Sequence, residues 1–470
     1  MPKKSSSSLA VVVLAAGRGK RLKSATPKVL HPVCGRPILW HVLRAASKLR
    51  PSKTVVVVAN GSEVEDAVRS WGLVKSPIFV DQGTPFGTGH AVLVAEDAVG
   101  TADDVVVLPG DEALVTAAML RSLLRRHRRR GAAATVQTVE LSDAKGFARV
   151  VREGDRLVRL AEGRKMEPEV EAIREVATCV YAFRRKDLFA ALPVLDTDNR
   201  QKEYYLSDVP GILLEKGELV VVEQTDFDDA LGANSRAELA KAAAAMRRRI
   251  NDAHMDAGVT LVDPDRTYID VEVRIGVDAV IHPLTFLEGA TRIGRGATIG
   301  PSTRLVDSSV GDGSDIQFSV VRGARIGAGV SVGPYASVRP GTVLEDGSKA
   351  GTFVEIKASR VGKGSKVPHL SYVGDARIGK GVNVGAATVT ANYDGYDKHE
   401  TVIGDDARIG SDTMLVAPVR VGKGAVTGAG SVITRNVPAG SLAVERSEQR
   451  NVEGYRKRKD LERRGRKAGQ

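Results

Sequence analysis

Aliphatic residues recur at every sixth position over long stretches of the second half of the chain, and glycine directly follows many of them. A period of six fits neither the roughly 3.6-residue repeat of an α-helix nor the two-residue alternation of a long strand. It fits short strands joined by tight turns, in which each repeat points one aliphatic side chain inward. The repeat therefore predicts a parallel β-helix with glycine in its turns. Its aliphatic positions are Ile293, Ile299 and Leu305, then, after a short interruption, Ile326, Val332, Val338 and Leu344, and later Ile378, Val384, Ile403, Ile409 and Val421.

The length and composition of the chain indicate a multidomain intracellular protein. At 470 residues the chain is longer than a single core usually grows, a limit of roughly 250–300 residues. No apolar run approaches the roughly 18 residues that span a membrane. Cys34 and Cys179 are the only cysteines, too few for a disulfide framework, which favours the cytoplasm.

The net charge of +12 is concentrated at the C-terminus. After Tyr455 the chain has eight basic residues against two acidic ones, which is half of the total excess, and a second basic cluster spans 125–130. Both patterns are typical of a solvated helix face or terminus. A polyanion-binding tail stays open as the alternative, although it lacks the interleaved aromatic residues of a nucleic-acid stacking surface. We therefore expect no nucleic-acid partner for the body of the protein.

Four zones follow one another along the chain. Up to residue 234, short β-branched strands alternate with helical stretches, which predicts an α/β, Rossmann-like domain with a mostly parallel sheet. An alanine-rich segment then predicts a linker helix at 235–257, with Asn234 or Ser235 as its N-cap and Gly258 as its terminator. The β-helix is expected at 258–454, and a basic tail at 455–470.

The segment VVVLAAGRGKRL is a strand that enters a glycine turn rich in cations. It is neither a Walker loop nor a dinucleotide fingerprint, because the required lysine-serine pair and third glycine are missing. Asp111 follows the strand VVVLPG and is expected at the carboxyl edge of the sheet, where ligands of such folds bind. A hard oxygen ligand beside a phosphate cradle suits Mg²⁺. An ordinary loop and a turn aspartate remain the alternatives. The cradle would comprise Gly17 and Gly19 with the cations Arg18, Lys20, Arg21 and Lys28.

These motifs resemble a known enzyme family. LAAGRGKRL and TPKVLHPVCGRPIL resemble the signature of sugar-1-phosphate nucleotidyltransferases. QGTPFGTGHA, QKEYYLSDV and LGANSR follow in the order found in the bifunctional N-acetylglucosamine-1-phosphate uridylyltransferase/glucosamine-1-phosphate N-acetyltransferase family, and the resemblance covers almost the whole chain. It implies that a sugar 1-phosphate attacks UTP in line and expels pyrophosphate, with catalysis by orientation and charge neutralisation. It assigns uridine to Leu14, Ala15, Ala16, Gly17, Gln82, Gly87 and Thr88, triphosphate to Arg21 and Lys28, Mg²⁺ to Asp111 and Asn234, and the sugar side to Gly110, Ala148, Glu162 and Ala177.

Three departures from the family pattern lie on the sugar side of this predicted pocket. The family's Asn-Thr-Gly tripeptide is represented by Ala177, Thr178 and Cys179, and its Gly-Tyr-Gly-Arg motif has Ala148 at the second glycine. The usual tyrosine before Gly-Asp is Pro109. We therefore expect uridylyl chemistry to be retained and the choice of sugar to be altered.

Polar residues that the repeat does not explain interrupt the β-helix between residues 339 and 398. They match the acetyltransferase site of the same family. The resemblance implies that this domain is a left-handed parallel β-helix of hexapeptide repeats. The resemblance makes His369 the general base that deprotonates the amino group of glucosamine 1-phosphate, a task suited to an imidazole. It also implies a homotrimer with the site between neighbouring subunits. The sugar phosphate is assigned to Arg339, Lys357 and Lys398, the sugar to Tyr372 and Asn383, and acetyl-CoA to Ala386, Asn392, Tyr393, Ser411, Ala429 and Arg446.

Two other functions remain possible from the sequence. A single-activity nucleotidyltransferase could use the β-helix for assembly or regulation, but such a β-helix would not need His369 beside a group of cations. A non-catalytic scaffold of the same layout would not need Arg21, Lys28 and Asp111. A β-helix carbonic anhydrase is disfavoured, because His282, His369 and His399 lack the common spacing of a three-histidine zinc site.

Overall fold

The computed structural model describes residues 7–17, 19–59, 62–141, 144, 147–161, 167–199, 202–226, 232 and 234–468. The chain forms two compact units. The first comprises residues 1–253 and 269–271, and the second comprises residues 254–268 and 272–470. The expected boundaries at 234/235, 257/258 and 454/455 stay predictions.

The first unit is built on a nine-stranded sheet with the order β5-β4-β1-β6-β10-β7-β11-β9-β8. Its strands are β1 Leu9–Leu14, β4 Lys53–Val58, β5 Ile78–Asp81, β6 Asp104–Pro109, β7 Ala134–Glu140, β8 Arg149–Glu153, β9 Arg156–Ala161, β10 Glu175–Arg184 and β11 Val220–Thr225, beside a small β2 Pro32–Val33 and β3 Arg36–Pro37 hairpin. Its helices are α1 Ile38–Ser47, α2 Ser62–Trp71, α3 Thr88–Leu93, α4 Glu96–Val99, α5 Ala117–Arg130, α6 Pro168–Glu171, α7 Arg185–Ala191 and α8 Val209–Glu215.

Helices cover both faces of this sheet. Alternate residues of β1 enter two different cores: Val11 and Val13 pack with residues of α1 and α5, whereas Ala10 and Val12 pack with residues of α3 and α7. This burial on both faces explains why the strand is a continuous apolar run rather than an alternating one. Strands β5, β4, β1 and β6 are parallel, and β10 runs antiparallel between β6 and β7. The fold is thus the expected Rossmann-like one, with an antiparallel addition beyond β6.

The parallel half of the sheet ends at one edge. Leu14 pairs with Pro109 at the ends of β1 and β6, and Gly110 donates its N–H to the Leu14 carbonyl at 2.8 Å. A Cβ at Gly110 would lie 2.7 Å from that oxygen. Glycine therefore lets the two strand ends approach closely and brings Ala15 and Asp111 to the same edge.

Helix α9 spans Arg236–Asp256 and begins with a side-chain cap. The Ser235 hydroxyl accepts from the Glu238 N–H at 3.2 Å, and a Glu238 carboxylate oxygen accepts from the Asn234 N–H at 2.7 Å. Of the two predicted caps, the one that occurs is therefore Ser235. The final helix, α10, spans Tyr455–Ala468 and its described side chains are exposed. Within the described part of the chain, no helix is long and apolar enough to cross a membrane.

The second unit is a parallel β-helix with three faces. Face 1 has the strands Thr260–Leu261, Val280–Ile281, Thr298–Ile299, Asp315–Ile316, Ser331–Val332, Lys349–Thr352, Lys366–His369, Asn383–Val384, Arg408–Ile409, Val426–Thr427 and Leu442–Ala443. Face 2 has Thr267–Ile269, Thr285–Glu288, Arg304–Val306, Val320–Arg322, Ser337–Val338, Glu355–Lys357, Tyr372–Gly374, Val389–Ala391, Met414–Val416 and Val432–Ile433. Face 3 has Arg274–Ile275, Arg292–Ile293, Ser309–Val310, Arg325–Ile326, Val343–Leu344, Arg360–Val361, Ala376–Ile378, Thr401–Ile403 and Val419–Val421.

The six-residue repeat is confirmed, and the interruption noted in the sequence is part of the same β-helix. Ile281 pairs with Ile299, one full coil of three repeats later. Between Leu305 and Ile326, the large aliphatic residues that are buried on the strands include Val310, Ile316 and Val321. Some repeats there are one residue shorter, so the spacing changes while the inward row of side chains continues.

Glycine after an inward residue also serves a purpose beyond the expected one. A Cβ at Gly311 would lie 2.5 Å from the carbonyl carbon of Gly327 in the next coil. The expected role in a turn is therefore incomplete for this class of glycine, because the close approach of the neighbouring coil also excludes a side chain there.

Candidate functional sites

The predicted phosphate and metal residues of the first unit meet at one point. The Lys28 ammonium group donates to the Asn234 side-chain oxygen at 2.5 Å and forms an ion pair with Asp111. Lys28 is 9% exposed. The side-chain oxygens of Asp111 and Asn234 therefore both contact the same cation, the Lys28 ammonium group. Hard oxygen donors of this kind suit Mg²⁺.

Glu112, directly after Asp111, is a buried acid that the sequence analysis missed. It is 7% exposed, and its Oε2 atom has no hydrogen-bond partner among the described residues. Burial raises the pKa of Glu112 well above its usual range, the Asp111 charge raises it further, and Lys28 opposes both effects. The only available signal was its position beside Asp111 in the motif PGDE.

The predicted uridine residues beyond β5 are held by hydrogen bonds. The buried Gln82 side chain donates to the Gly87 carbonyl at 2.9 Å, and the Thr88 hydroxyl accepts from the Leu206 N–H at 3.0 Å. A Cβ at Gly87 would lie 2.5 Å from the Tyr204 carbonyl oxygen, and the φ angle of Gly87 is 111°. Glycine is therefore required here both by conformation and by close packing. Leu14, Ala15, Ala16 and Gly17 lie at the end of β1, at the edge that carries Asp111.

Two of the departures from the family pattern lie side by side. The Ala177 N–H donates to the Ala148 carbonyl at 3.2 Å, and Cys179 lies at an irregularity in β10, where the register with β7 shifts. Arg21 is exposed on a short 3₁₀ turn and makes no ion pair with the described residues. Glu162 and Arg18 lie outside the described residues.

In the β-helix, His369 begins a row that runs along the junction of faces 1 and 2. We call it the His369 row: His369, Ala386, Ser411 and Ala429, which follow equivalent strand positions in successive coils. Backbone hydrogen bonds link the coils along this row, from Ala387 to His369, from Asp412 to Ala386 and from Gly430 to Ser411. Arg446 donates to the Ala429 carbonyl at 3.0 Å. The predicted base and four predicted acetyl-CoA residues therefore share one edge.

A second row follows the other end of face 2. We call it the Lys357 row: Arg339, Lys357, Gly374 and Ala391, placed by the register of four successive coils. An Asp375 carboxylate oxygen lies 3.7 Å from the Lys357 ammonium nitrogen and accepts from the Asn392 amide. Asp375 was missed by the sequence analysis, although it ends the segment SYVGD.

A loop brings Lys398 to the Lys357 row. Tyr393 and Lys398 pair across this loop, and Asp394 accepts from the Tyr396 and Asp397 N–H groups at 2.8 Å. The hydrogen bond between the two amines raises the pKa of Lys357 and lowers the pKa of Lys398. Adjacent amines of this kind suit an anionic phosphate.

The predicted sugar residues divide between the two rows. Tyr372 begins the strand that ends at Gly374, and a Cβ at Gly374 would lie 2.4 Å from the Tyr372 hydroxyl and 2.8 Å from the Asn392 amide nitrogen. Tyr372 therefore belongs with the Lys357 row. Asn383 is exposed on face 1, in the coil after His369.

One chain thus separates the residues expected at a single acetyltransferase site. The His369 row lies before the strands of face 2 and the Lys357 row lies at their ends. Three-residue strands such as Tyr372–Gly374 span roughly 10 Å at about 3.3 Å per residue. Asn392 and Tyr393, assigned to acetyl-CoA, lie on the Lys357 side.

Comparison with known proteins defines the class of each unit. Residues 11–207 match the family model of the MobA-like NTP transferase domain, and residues 400–435 match that of the bacterial transferase hexapeptide with six repeats. The chain therefore joins a nucleotidyltransferase domain to a hexapeptide-repeat transferase domain.

Relatives match over both domains. The bifunctional protein GlmU of Carboxydothermus hydrogenoformans is 46% identical over 94% of this chain and 99% of its own length. The GlmU proteins of Streptomyces avermitilis and Heliobacterium modesticaldum are each 47% identical, over 96% and 95% of this chain and 94% and 98% of their own lengths. The chain belongs to the family of bifunctional GlmU proteins. It is a bifunctional enzyme of UDP-N-acetylglucosamine synthesis, with acetyltransferase and uridylyltransferase activities.

Proposed function

We propose that uridylyl transfer takes place at the edge of the sheet that carries Lys28, Asp111 and Asn234. The observation that supports this is the convergence of Asp111 and Asn234 on the Lys28 ammonium. Asp111 and Asn234 would hold Mg²⁺, which supplies charge neutralisation at phosphate oxygens when bound. Lys28 would then contact the triphosphate, while Gln82, Gly87 and Thr88 orient the nucleotide.

Acetyl transfer is proposed where the His369 row of one subunit meets the Lys357 row of a neighbouring subunit. His369 would remove a proton from the amino group of glucosamine 1-phosphate as it attacks the thioester of acetyl-CoA. Arg339, Lys357 and Lys398 would bind the sugar phosphate. Ser411 and Ala429 of the His369 row are exposed, and Arg446 beside them offers a cation for acetyl-CoA.

A homotrimer would complete this second site. The His369 and Lys357 rows border opposite sides of face 2, so a threefold arrangement with this face inward places the His369 row of one subunit near the Lys357 row of the next. Face 2 carries outward Phe286, Met414 and Val432, which are 37–43% exposed. An aromatic ridge, formed by Phe318, Tyr335 and Phe353, follows its border and is also exposed. Burial of these apolar groups favours such an assembly.

Separate mutations test the two sites. His369→Ala should reduce acetyl transfer by about 10²–10⁴-fold, as for loss of a general base, while uridylyl transfer continues at the parent rate. Asp111→Ala should abolish uridylyl transfer and spare acetyl transfer. Each half-reaction is measured with its own substrates on the folded full chain. Loss of both reactions in either variant would contradict two independent sites.

A further inference from the structure

Face 3 of the β-helix carries an outward row of arginines. The register aligns nine successive coils, and six of the nine aligned positions are arginine. At about 4.8 Å per coil, the row is roughly 40 Å long. Like charges at this density repel, so the row favours contact with an anion over contact with a second copy of itself. We call it the arginine row: Arg274, Arg292, Arg325, Arg360, Arg377 and Arg420, interrupted by Ser309, Val343 and Val402.

Some of these charges are already neutralised and others are not. Arg360 forms an ion pair with Glu345, and Arg377 forms one with Glu400 at 2.6 Å. Within the described chain, the guanidinium groups of Arg274, Arg292, Arg325 and Arg420 have no carboxylate partner. The neighbouring carboxylates therefore do not neutralise the whole positive charge of the arginine row.

A cavity of about 430 Å³ lies where the row is interrupted. Ser309 and Val343 have short side chains, and Arg325 lies in the coil between them, with Arg360 in the coil after Val343. This volume is within the range of about 300–1,000 Å³ for small-molecule sites. Its wall includes Ser309, Arg325, Val343, Glu345, Arg360 and Lys363.

The carboxylates beside this cavity are occupied. Glu345 binds Arg360 through one oxygen and accepts from the Lys363 N–H at 2.9 Å through the other. Asp346 accepts from the Ala328 N–H at 2.8 Å. Arg325 and the Lys363 ammonium group therefore remain as uncompensated cations of the wall, on the two sides of the Val343 coil.

We propose that this cavity binds the diphosphate group of a small ligand. Arg325 contacts one phosphate through its planar guanidinium fork, and Lys363 contacts the other as a point charge. Arg360 adds a third cation when the anion replaces Glu345 as its partner. Neither the His369 row nor the Lys357 row contributes to this cavity, so the site is distinct from both proposed catalytic sites.

Equilibrium dialysis of the full chain with inorganic pyrophosphate, and separately with UDP, tests this site. Arg325→Ala is the test variant. Arg420→Ala is the matched control, because it removes an exposed, unpaired arginine of the same row outside the cavity wall. We expect Arg325→Ala to remove one bound pyrophosphate per chain, or to weaken that site at least about tenfold, and Arg420→Ala to change neither.

Two outcomes would overturn the proposal: no decrease in bound anion in Arg325→Ala, or an equal decrease in Arg420→Ala. An equal decrease would indicate diffuse attraction rather than a site.

Arg325→Lys should bind pyrophosphate with intermediate affinity, because lysine keeps the positive charge but lacks the planar guanidinium group. Similar binding of pyrophosphate and UDP would show that the diphosphate alone is recognised, whereas tighter binding of UDP would add a nucleoside contact to the site. The kcat of both half-reactions should be unchanged in all three variants.

Discussion

At the scale of single residues, Asp375 connects two groups of the proposed acetyltransferase site. Its carboxylate accepts from the Asn392 amide and lies 3.7 Å from the Lys357 ammonium nitrogen. The negative charge of Asp375 raises the pKa of Lys357, although the hydrogen bond with Lys398 is the larger cause. In the proposed acetyltransferase site, Asp375 would therefore position Lys357 for the sugar phosphate rather than contact the phosphate itself.

Asp375→Asn should weaken binding of glucosamine 1-phosphate with little effect on the chemical step. Loss of about 0.5–1.5 kcal/mol from one interaction corresponds to a rise in KM of roughly 2- to 10-fold. Steady-state kinetics of acetyl transfer give KM and kcat separately. Asp312→Asn, an exposed partner of Arg295 elsewhere on the β-helix, is the control and should leave both unchanged. A fall in kcat with constant KM would contradict a positioning role.

Ala177 is the residue at which we expect sugar selectivity to have changed. An asparagine at this position can hydrogen-bond the sugar, and alanine cannot. Loss of one such bond costs about 0.5–3 kcal/mol, which corresponds to a roughly 2- to 150-fold weakening. Ala177→Asn should therefore raise kcat/KM for N-acetylglucosamine 1-phosphate relative to glucose 1-phosphate. Competition between the two sugars in the uridylyl assay measures this ratio, and an unchanged ratio in a parent that already discriminates strongly would show that another residue makes the contact.

At the scale of elements, each coil of the β-helix is fixed by the coil that follows. The N–H of Gly311 donates to the Ile326 carbonyl at 2.8 Å, and a Cβ at Gly311 would lie 2.5 Å from a backbone carbon of Gly327. Two backbones cannot separate at this point without loss of the hydrogen bonds between coils. The glycine is therefore required by the packing of successive coils.

Gly311→Ala should destabilise the β-helix by about 3 kcal/mol, at the upper end for overpacking. Gly329→Ala is the matched control, because the φ angle of Gly329 is 60° and no atom lies within 4 Å of an added Cβ. Gly329→Ala should lower the free energy of unfolding by only about 1 kcal/mol, because alanine is strained in the left-handed conformation. Urea unfolding followed by circular dichroism compares the two. Equal losses would contradict an origin in the contact between coils.

The elements were more predictable from the sequence than the geometry of the sites. Aliphatic spacing predicted the β-helix because each inward residue is independently buried. The position of Asp111 at the sheet edge was predictable because a strand immediately precedes it. The spacing did not predict that Val310, Ile316 and Val321 continue the core with shorter repeats. Nor could it predict Asp375 or Glu112 as members of the sites, since their roles depend on neighbours that only the folded chain brings close.

At the scale of the whole molecule, the separation of the His369 row from the Lys357 row determines how subunits would have to be arranged to complete one site. His369 and Lys357 border opposite sides of face 2, and the aromatic ridge of Phe318, Tyr335 and Phe353 follows the His369 side. In the proposed trimer the ridge is buried by a neighbouring subunit, whereas the arginine row stays in solvent, because burial of unpaired charges is costly. The same arrangement makes each acetyltransferase site depend on two chains.

Mixed trimers of His369→Ala and Lys357→Ala chains test this dependence. Each variant alone should be nearly inactive in acetyl transfer, because every site lacks either the base or a phosphate-binding lysine. In a random one-to-one mixture, about one quarter of the sites would pair an intact His369 with an intact Lys357 across a subunit boundary. Purification through two different tags after co-expression leaves only mixed trimers, in which one boundary of three pairs both intact groups, so acetyl transfer should recover to about one third of the parent rate.

The control mixture pairs each variant with the double variant His369→Ala, Lys357→Ala, and it should stay inactive because no boundary can then bring both intact groups together. Uridylyl transfer should remain at the parent rate in every mixture, which shows that the first unit is folded and active. A mixture that forms trimers and regains no acetyl transfer would place the whole site within one chain. In that case the side chains of the two rows would have to bridge face 2 within a single subunit.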